Sequence, residues 1–447
     1  MQQHSIVQLI DEAPISRFQW RILVLCFLIA IFDGFDTQAI AFTGPEIIQY
    51  FQLTSGELAP IMTAGTMGMV LGAMVLGIVG DRIGRRPALL GAVLVFGVAT
   101  FLTAFVNHTQ HILILRFIAG LGMGGATPVV LSLAAEYSPH KHRGTSMTVV
   151  LLGLPAGAII GGLLAAKIMP FIGWQGIFLV GGIAPMVLLL VLVFALPESL
   201  HHMALKSGNE GKINAILHRI VGIKRPEGDR YLAPEAAVKA SVAALLSKGL
   251  ARNTVAIWLV YFFNWVSWFL LLSWLPTVLK VSGLAATQAP MGTVVVNSVF
   301  ILCALPLAAI LPKFNVRSVL MAMFGLGIAV CFGLYFSGNL WFWVFVFAGL
   351  AGLGIGGQQI VLNYMVAKIY PTNLRASATG WAIGCGRIGA ILGAASGGLV
   401  LDQAGPSGFY LALIVPLLFA LLALLLIKPR PEEAQPQPQT ELQHETA

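Results

Sequence analysis

Twelve runs of about twenty apolar residues, parted by short polar breaks, leave this chain few ways to fold. Each is long enough to cross the hydrocarbon layer of a bilayer as a helix, since about 20 residues at 1.5 Å each match its thickness of about 30 Å. The runs fall at roughly 18–41, 57–79, 88–106, 111–135, 145–169, 175–196, 253–279, 288–311, 317–336, 340–367, 376–401 and 408–427. With 57% of 447 residues hydrophobic and 10% charged, the chain lacks the polar surface of a soluble protein. An all-α integral membrane fold is expected.

The segment before Trp20 carries Asp11, Glu12 and Pro14 and no apolar core, so a cleavable signal peptide is not expected and the first span acts as the insertion signal. Lysines and arginines sort by side. With the N-terminus inside, Arg17, Arg21, Arg82, Arg85, Arg86, Lys141, Arg143, the block from Lys206 to Arg252, Lys313, Arg317, Lys368, Arg375, Lys428 and Arg430 fall cytoplasmic, against Lys167 and Lys280 outside. The bias predicts cytoplasmic termini and accounts for the net charge of +8 without a nucleic acid. Cys26, Cys303, Cys331 and Cys385 all fall in spans and read as small core residues, not as a disulfide or metal set.

One long hydrophilic stretch, from His201 to about Arg252, separates six spans from six. The expected divisions are a cytoplasmic N-terminus (1–17), a six-helix bundle (18–197), a cytoplasmic linker (198–252), a second bundle (253–428) and a disordered cytoplasmic tail (429–447). The halves repeat. IAGLGMGGATPVV at 118–130 aligns with LAGLGIGGQQIVL at 350–362, Tyr137 through Arg143 with Tyr370 through Arg375, and GAIIGGLL at 157 with GAASGGLV at 393. Three blocks in one order imply two pseudo-symmetric six-helix bundles related by an axis along the membrane normal. The fourth-span Arg116 has no counterpart, Ala348 standing in its place, so proton handling is expected in the first half.

Asp33 and Asp36 interrupt the first span in IAIFDGFDTQAI. Three residues apart, they share a helical face. A carboxylate at membrane depth costs about 2.5–3.5 kcal/mol on insertion scales, so such a pair needs water, a proton or a cation. The pair reads as a proton- or substrate-handling site, the competing reading being structural carboxylates bonded to neighbouring helices. Arg387, near mid-membrane in WAIGCGRIGAILG, is a permanent cation in need of an anionic partner. The second half also places Tyr261, Asn264, Trp265 and Trp268 in its first span, Asn297 in its second, and Gln358, Gln359, Asn363 and Tyr364 in its fourth. Tyr261, Trp265 and Trp268 follow i, i+4, i+7 too deep for interfacial anchors, a stripe that suits either core packing or a cavity wall. Glycines 153, 157, 161 and 162 give the fifth span a thin face for close packing.

The turn GIVGDRIGRRP, residues 77–87, brings a resemblance. Gly77, Asp81, Arg82, Gly84, Arg85 and Arg86 match in register the G-x-x-x-D-R-x-G-R-R loop of the major facilitator superfamily. The resemblance implies a cytoplasmic charge latch between the halves, with Asp81 as acceptor served by Arg85 and Arg86. Arg116 and Gly120 match the family's R-x-x-x-G, which implies an arginine facing the central cavity and coupled to the first-span acids; by position alone it could also snorkel outward. Glu136, beside YSPHKHRG and Arg143, reads as a latch or interface residue. LPESL at 196–200 resembles the family's exit sequence. In the fifth span Pro155 precedes Gly157, whereas the motif of facilitator antiporters has proline following, and this lowers an exporter reading.

DGFD at 33–36 together with GWAIGCGRIGAILG resembles the bacterial aromatic acid:proton symporters, with Glu46 a departure from their pattern. That likeness implies Asp33, Asp36 and Asp81 in transport, uptake of small aromatic carboxylates with protons, no cofactor besides the proton, and a monomer in the inner membrane. Physical chemistry agrees: a planar anion wants a bidentate cation and π-faces, which Arg387 and the seventh-span aromatics can supply. Symport of muconate or nicotinate and export are the alternatives. No nucleotide loop, metal cluster or nucleophile–base pair supports an enzyme.

Overall fold

A computed structural model describes residues 3–205, 208–222, 230–232, 242–247 and 249–428. The tail expected at 429–447 lies outside them. Ten membrane-length helices follow the sequence runs: α1 (Arg17–Phe51), α2 (Ser55–Ile83), α3 (Arg85–Thr103), α4 (Thr109–Glu136), α5 (His140–Ile172), α6 (Trp174–Ala195), α7 (Ala251–Val281), α8 (Pro290–Ile310), α9 (Val316–Ser337) and α10 (Trp341–Ile369). An eleventh stretch, Leu374–Leu425, has 52 residues and would run about 78 Å as one helix, more than two bilayer cores. Gly405, with φ +66°, turns the chain there and Pro406 follows without an amide hydrogen, so the stretch makes two crossings, α11 (372–404) and α12 (406–425). Twelve crossings put the start of α1 and the end of α12 on one face, called terminal below; the opposite face is distal.

α5 is broken at Leu152 into His140–Leu151 and Gly153–Ile172, because Pro155 offers no N–H to the carbonyl of Leu151. Its glycines serve packing. A Cβ at Gly157 would lie 1.9 Å from the Ile31 carbonyl oxygen, and one at Gly34 would lie 1.9 Å from that of Leu154. α1 and α5 therefore touch backbone to backbone beside Asp33, which fixes the depth and direction of that side chain.

Within the first six helices α2 packs on α4, α1 on α5, and α3 on α4 and α6; within the second six α7 packs on α11 and α12, and α10 on α8 and α9. The two sets meet along α2/α11, α5/α8 and α1/α7. These contacts cluster near the distal face. A Cβ at Gly398 would lie 2.3 Å from the Ser55 carbonyl oxygen of α2, while at Gly380, five turns nearer the terminal face on the same side of α11, it would meet nothing within 4 Å. α2 and α11 thus touch distally and splay toward the terminal face, leaving a cleft open on that side.

Outside the membrane helices, Gln3–Ser5 pairs in parallel with Arg230–Leu232. The helix Glu210–Val221 buries Ile213, Leu217 and Ile220, at i, i+4, i+7, with Ile6, Leu9 and Ile10 under the first bundle. The side chain of Asp11 accepts the His140 N–H at 2.6 Å, so the N-terminal segment and part of the linker dock on one bundle.

Candidate functional site

The two acids of α1 share a face but not an environment. Asp36 is sealed. Its carboxylate accepts from Arg116 at 3.0 and 3.3 Å and from the Thr100 hydroxyl at 2.6 Å, Arg116 also donates to Thr100 at 2.8 Å, and the guanidinium lies 5.0 Å from the Phe178 ring centre. Neither side chain exceeds 2% exposure. The resemblance placed Arg116 in the central cavity, and its position allowed snorkelling; instead α3, α4 and α6 enclose it, because a carboxylate, a hydroxyl and a ring satisfy the charge inside the first bundle.

Among the described residues, Asp33 has no cation within hydrogen-bond reach. It accepts from the Thr127 hydroxyl of α4 at 2.6 Å and, more weakly, from Thr37 at 3.4 Å. Beside it a narrow apolar cavity is lined by Ile29, Leu131, Leu151 and Leu154. Across the cleft, Arg387 of α11 is close enough for the two charges to interact. Arg387 is half-buried and, among the described residues, makes no hydrogen bond or ion pair. The two groups sit on opposite bundles as a carboxyl and a guanidinium not bonded to one another.

Next to Arg387 stands the α7/α10 wall. The Trp265 ring packs on Gly386, where a Cβ would come within 2.9 Å, and its indole N–H donates to Gln359 Oε1 at 2.6 Å. Gln359 Nε2 donates to Asn363 Oδ1 at 3.2 Å, and the Tyr261 hydroxyl donates to the same oxygen at 2.7 Å. Trp265 and Gln359 are half-exposed and Asn363 is exposed. Tyr261, Asn264 and Gln358, expected on the substrate wall, are instead buried between α7 and α10. Their work is structural. α10 widens into one π-helical turn at Gly352–Gly356, which strands carbonyls. Gln358 Nε2 donates to Gly354 O at 2.5 Å and Asn264 Nδ2 to Ile355 O at 3.3 Å, while Asn264 and Gln358 also bond each other. Trp268 packs on Phe300 and Gly356, Tyr364 carries Lys368 over its ring at 5.3 Å, and the buried Asn297 bonds back to Thr293 O of its own helix.

At the terminal face the loop residues gather inside the first bundle. Arg85 pairs with Glu136, whose other oxygen accepts the Ser199 hydroxyl at 2.7 Å. Glu198 accepts the backbone N–H groups of Arg85 at 2.9 Å and Arg86 at 3.0 Å, capping α3 from another segment, and Arg86 donates to Val193 O. Gly84 has φ +114°, which requires glycine at the α2–α3 corner. Gly77 has open space around it and Arg82 is exposed. Arg143 makes no hydrogen bond or ion pair among the described residues and does not join the cluster. The side chain of Asp81 lies outside the described residues. The partners described for Arg85, Arg86 and Glu136 belong to α4, α6 and the LPESL segment, all within the first bundle, on the side where the cleft is open. Across the distal face, Asp402 of α11 accepts the Gly56 N–H of α2 at 2.7 Å, and Lys280 of α7 donates to Pro45 O and Gln49 of α1 at 3.3 and 3.2 Å.

Thr127, Thr100, Glu198 and Asp402 were not singled out from sequence. The repeat could have found Thr127, since it corresponds to Gln359, and LPESL already carried Glu198.

Over residues 26–315 and 292–446 the sequence matches the model of the Major Facilitator Superfamily. The chain belongs to that superfamily. Among curated facilitators it is 34% identical over 404 residues to the 4-hydroxybenzoate transporter PcaK of Pseudomonas putida, covering 89% of each chain. It is 34% identical over 421 residues to the gallate transporter of Pseudomonas putida, covering 93% of this chain and 91% of that one. Of solved facilitator structures, a D-xylose-proton symporter superposes with a TM-score of 0.70 at 17% identity, over 92% of this chain and 98% of the other, a likeness of fold alone. Membership of this family makes the protein a transporter and not an enzyme.

Proposed function

We propose that this facilitator imports a small aromatic carboxylate together with a proton across a bacterial inner membrane, working as a monomer with its terminal face in the cytoplasm. The observation that carries the reading is Arg387, a half-buried guanidinium with no anion bonded to it among the described residues, near enough to Asp33 of the other bundle for the two charges to interact. A guanidinium fork matches a carboxylate in geometry and charge, and the Trp265 ring beside it offers a π-face. Relatives named for 4-hydroxybenzoate, gallate, benzoate and gentisate support the substrate class. The excess of lysine and arginine on the terminal face supports the orientation.

Charge balance supplies the coupling. With the cleft empty, ionised Asp33 offsets Arg387. A substrate carboxylate seated on Arg387 brings a second anion toward Asp33, and a proton on Asp33 removes the repulsion. Proton and anion then favour each other's binding, as linkage requires. The bundles 18–197 and 253–428 rock about the linker, cargo and proton leave on the cytoplasmic side, and Asp33 again balances Arg387 for the return.

Radiolabelled uptake in cells lacking other aromatic-acid carriers tests this. Accumulation of 4-hydroxybenzoate or a similar acid should collapse with a protonophore, and uptake that persists and follows sodium would refute the coupling. Arg387→Ala should raise the half-saturation concentration about tenfold or more, the size expected for a charge-assisted hydrogen bond; an unchanged value would remove Arg387 from the site.

A further inference from the structure

The wall between α7 and α10 has a polarity that its own hydrogen bonds dictate. An indole nitrogen can only donate, so the oxygen of Gln359 must face Trp265 and its NH2 must face Asn363. That fixes Asn363 in turn: its oxygen receives Gln359 and the Tyr261 hydroxyl, and its NH2 points elsewhere. Asn363 Oδ1 takes two hydrogen bonds and Gln359 Oε1 takes one, and the NH2 of exposed Asn363 is left to donate toward the cleft. A surface of this kind binds an acceptor oxygen.

The internal repeat places that surface. The 118–130 and 350–362 blocks stand 232 residues apart, and at this offset Thr127 corresponds to Gln359 and Asp33 to Trp265. Each of these pairs is joined by a hydrogen bond, of 2.6 Å in both cases. The Asp33–Thr127 and Trp265–Gln359 sites are therefore symmetry counterparts, one on each bundle at matching depth. The 157 and 393 blocks stand 236 apart, and that offset carries Leu151, beside the Asp33 site, onto Arg387. Arg387 accordingly flanks the Trp265 site, in agreement with the packing of Trp265 on Gly386. The indole packs on Gly386, next to Arg387 in the chain, and donates to the relay on α10, so it lies between α11 and the relay.

We propose that Asn363, oriented by Gln359 and Trp265, reads a ring hydroxyl on the substrate by donating a hydrogen bond to its oxygen while Arg387 holds the carboxylate. The inference rests on the aromatic-carboxylate reading above and adds the selection of hydroxylated over unsubstituted rings. Trp265 and Gln359 act here as positioning residues.

Uptake of radiolabelled 4-hydroxybenzoate and benzoate by the same cells, normalised to carrier abundance in the membrane, supplies the readout. Wild type should favour the hydroxylated acid in kcat/KM by about tenfold, the value of one good hydrogen bond. Asn363→Leu should bring the ratio close to one, chiefly through KM for the hydroxylated acid. Trp265→Phe keeps a ring but frees Gln359 to turn over, and should lower the ratio part of the way. Should Asn363→Leu be poorly inserted, Gln359→Glu, which can no longer donate to Asn363, should lower the ratio in its place. A ratio near one in wild type, or a ratio untouched by these variants, would overturn the assignment. Accumulation of neither acid by wild type would instead bring down the aromatic-carboxylate reading, and the assignment with it.

Discussion

At the scale of single residues, the two acids of α1 do different work although the sequence presents them as a pair. Asp36 belongs to a closed ion pair with Arg116, and removing one partner leaves the other charge buried. Such a loss costs about 3–5 kcal/mol, enough to unfold many proteins. Asp36→Asn or Arg116→Ala should therefore lower the melting temperature in detergent, and the double variant Asp36→Asn/Arg116→Gln should recover part of it. Asp33 is bonded only to hydroxyls, which can face a neutral acid as well as a carboxylate. Asp33→Asn should leave thermal stability close to wild type while abolishing accumulation against a gradient. Melting curves and uptake measured on one panel separate the two roles; an Asp33→Asn carrier that still accumulates substrate would contradict this division. What the sequence disclosed was the presence and the depth of both acids. It could not disclose that Arg116 reaches Asp36 and leaves Asp33 alone, because that depends on the close approach at Gly34 and Gly157, which sets how α1 is turned against α4.

At the scale of elements, one motif folds two ways. The glycine ladder of α4 stays α-helical, while its repeat in α10 takes a π-helical turn at Gly352–Gly356. The difference follows from the residues after the ladder: Ala126 in the first copy, Gln358 in the second, with Asn264 opposite it on α7. Two amides satisfy carbonyls that the wider turn releases, and no equivalent amide stands at Ala126. Gln358→Leu should strand the Gly354 carbonyl and the Asn264 amide at a cost of about 1–3 kcal/mol. A lowered melting temperature would check this, and hydrogen exchange should show the loss concentrated in 350–362. The spans, the repeat and the α2–α3 corner were all legible beforehand, since each is written in apolar run lengths or in glycine placement. The sorting of Tyr261, Asn264 and Gln358 into the core and of Trp265, Gln359 and Asn363 onto the cleft was not. The border between core and cleft runs between neighbours, Tyr261 and Trp265 on α7 and Gln358 and Gln359 on α10, and which side each takes depends on how α7 and α10 are turned against one another, which periodicity along one helix does not state.

At the scale of the whole molecule, the contacts between bundles describe a carrier closed distally and open toward its termini. Two charged side chains cross the distal seam, Asp402 to α2 and Lys280 to α1, and the backbone contact of Gly398 with Ser55 lies beside the first. In a carrier that alternates, every one of these must part when the cleft opens on the distal side. Gly398→Leu offers the sharpest test, because its side chain would occupy the position of the Ser55 carbonyl and forbid closure without altering any charge. Gly380, in open space on the same side of α11, is suited to a reporter cysteine in a background cleared of the four native ones. Gly380→Cys alone should react readily with a membrane-impermeant thiol reagent in inside-out vesicles. With Gly398→Leu added, the bundles are held apart distally and brought together on the terminal side, so labelling should fall several-fold and uptake should stop. Equal labelling in the two backgrounds would mean that the distal seam does not govern the terminal opening, and the bundles would then not move as rigid bodies about one cleft.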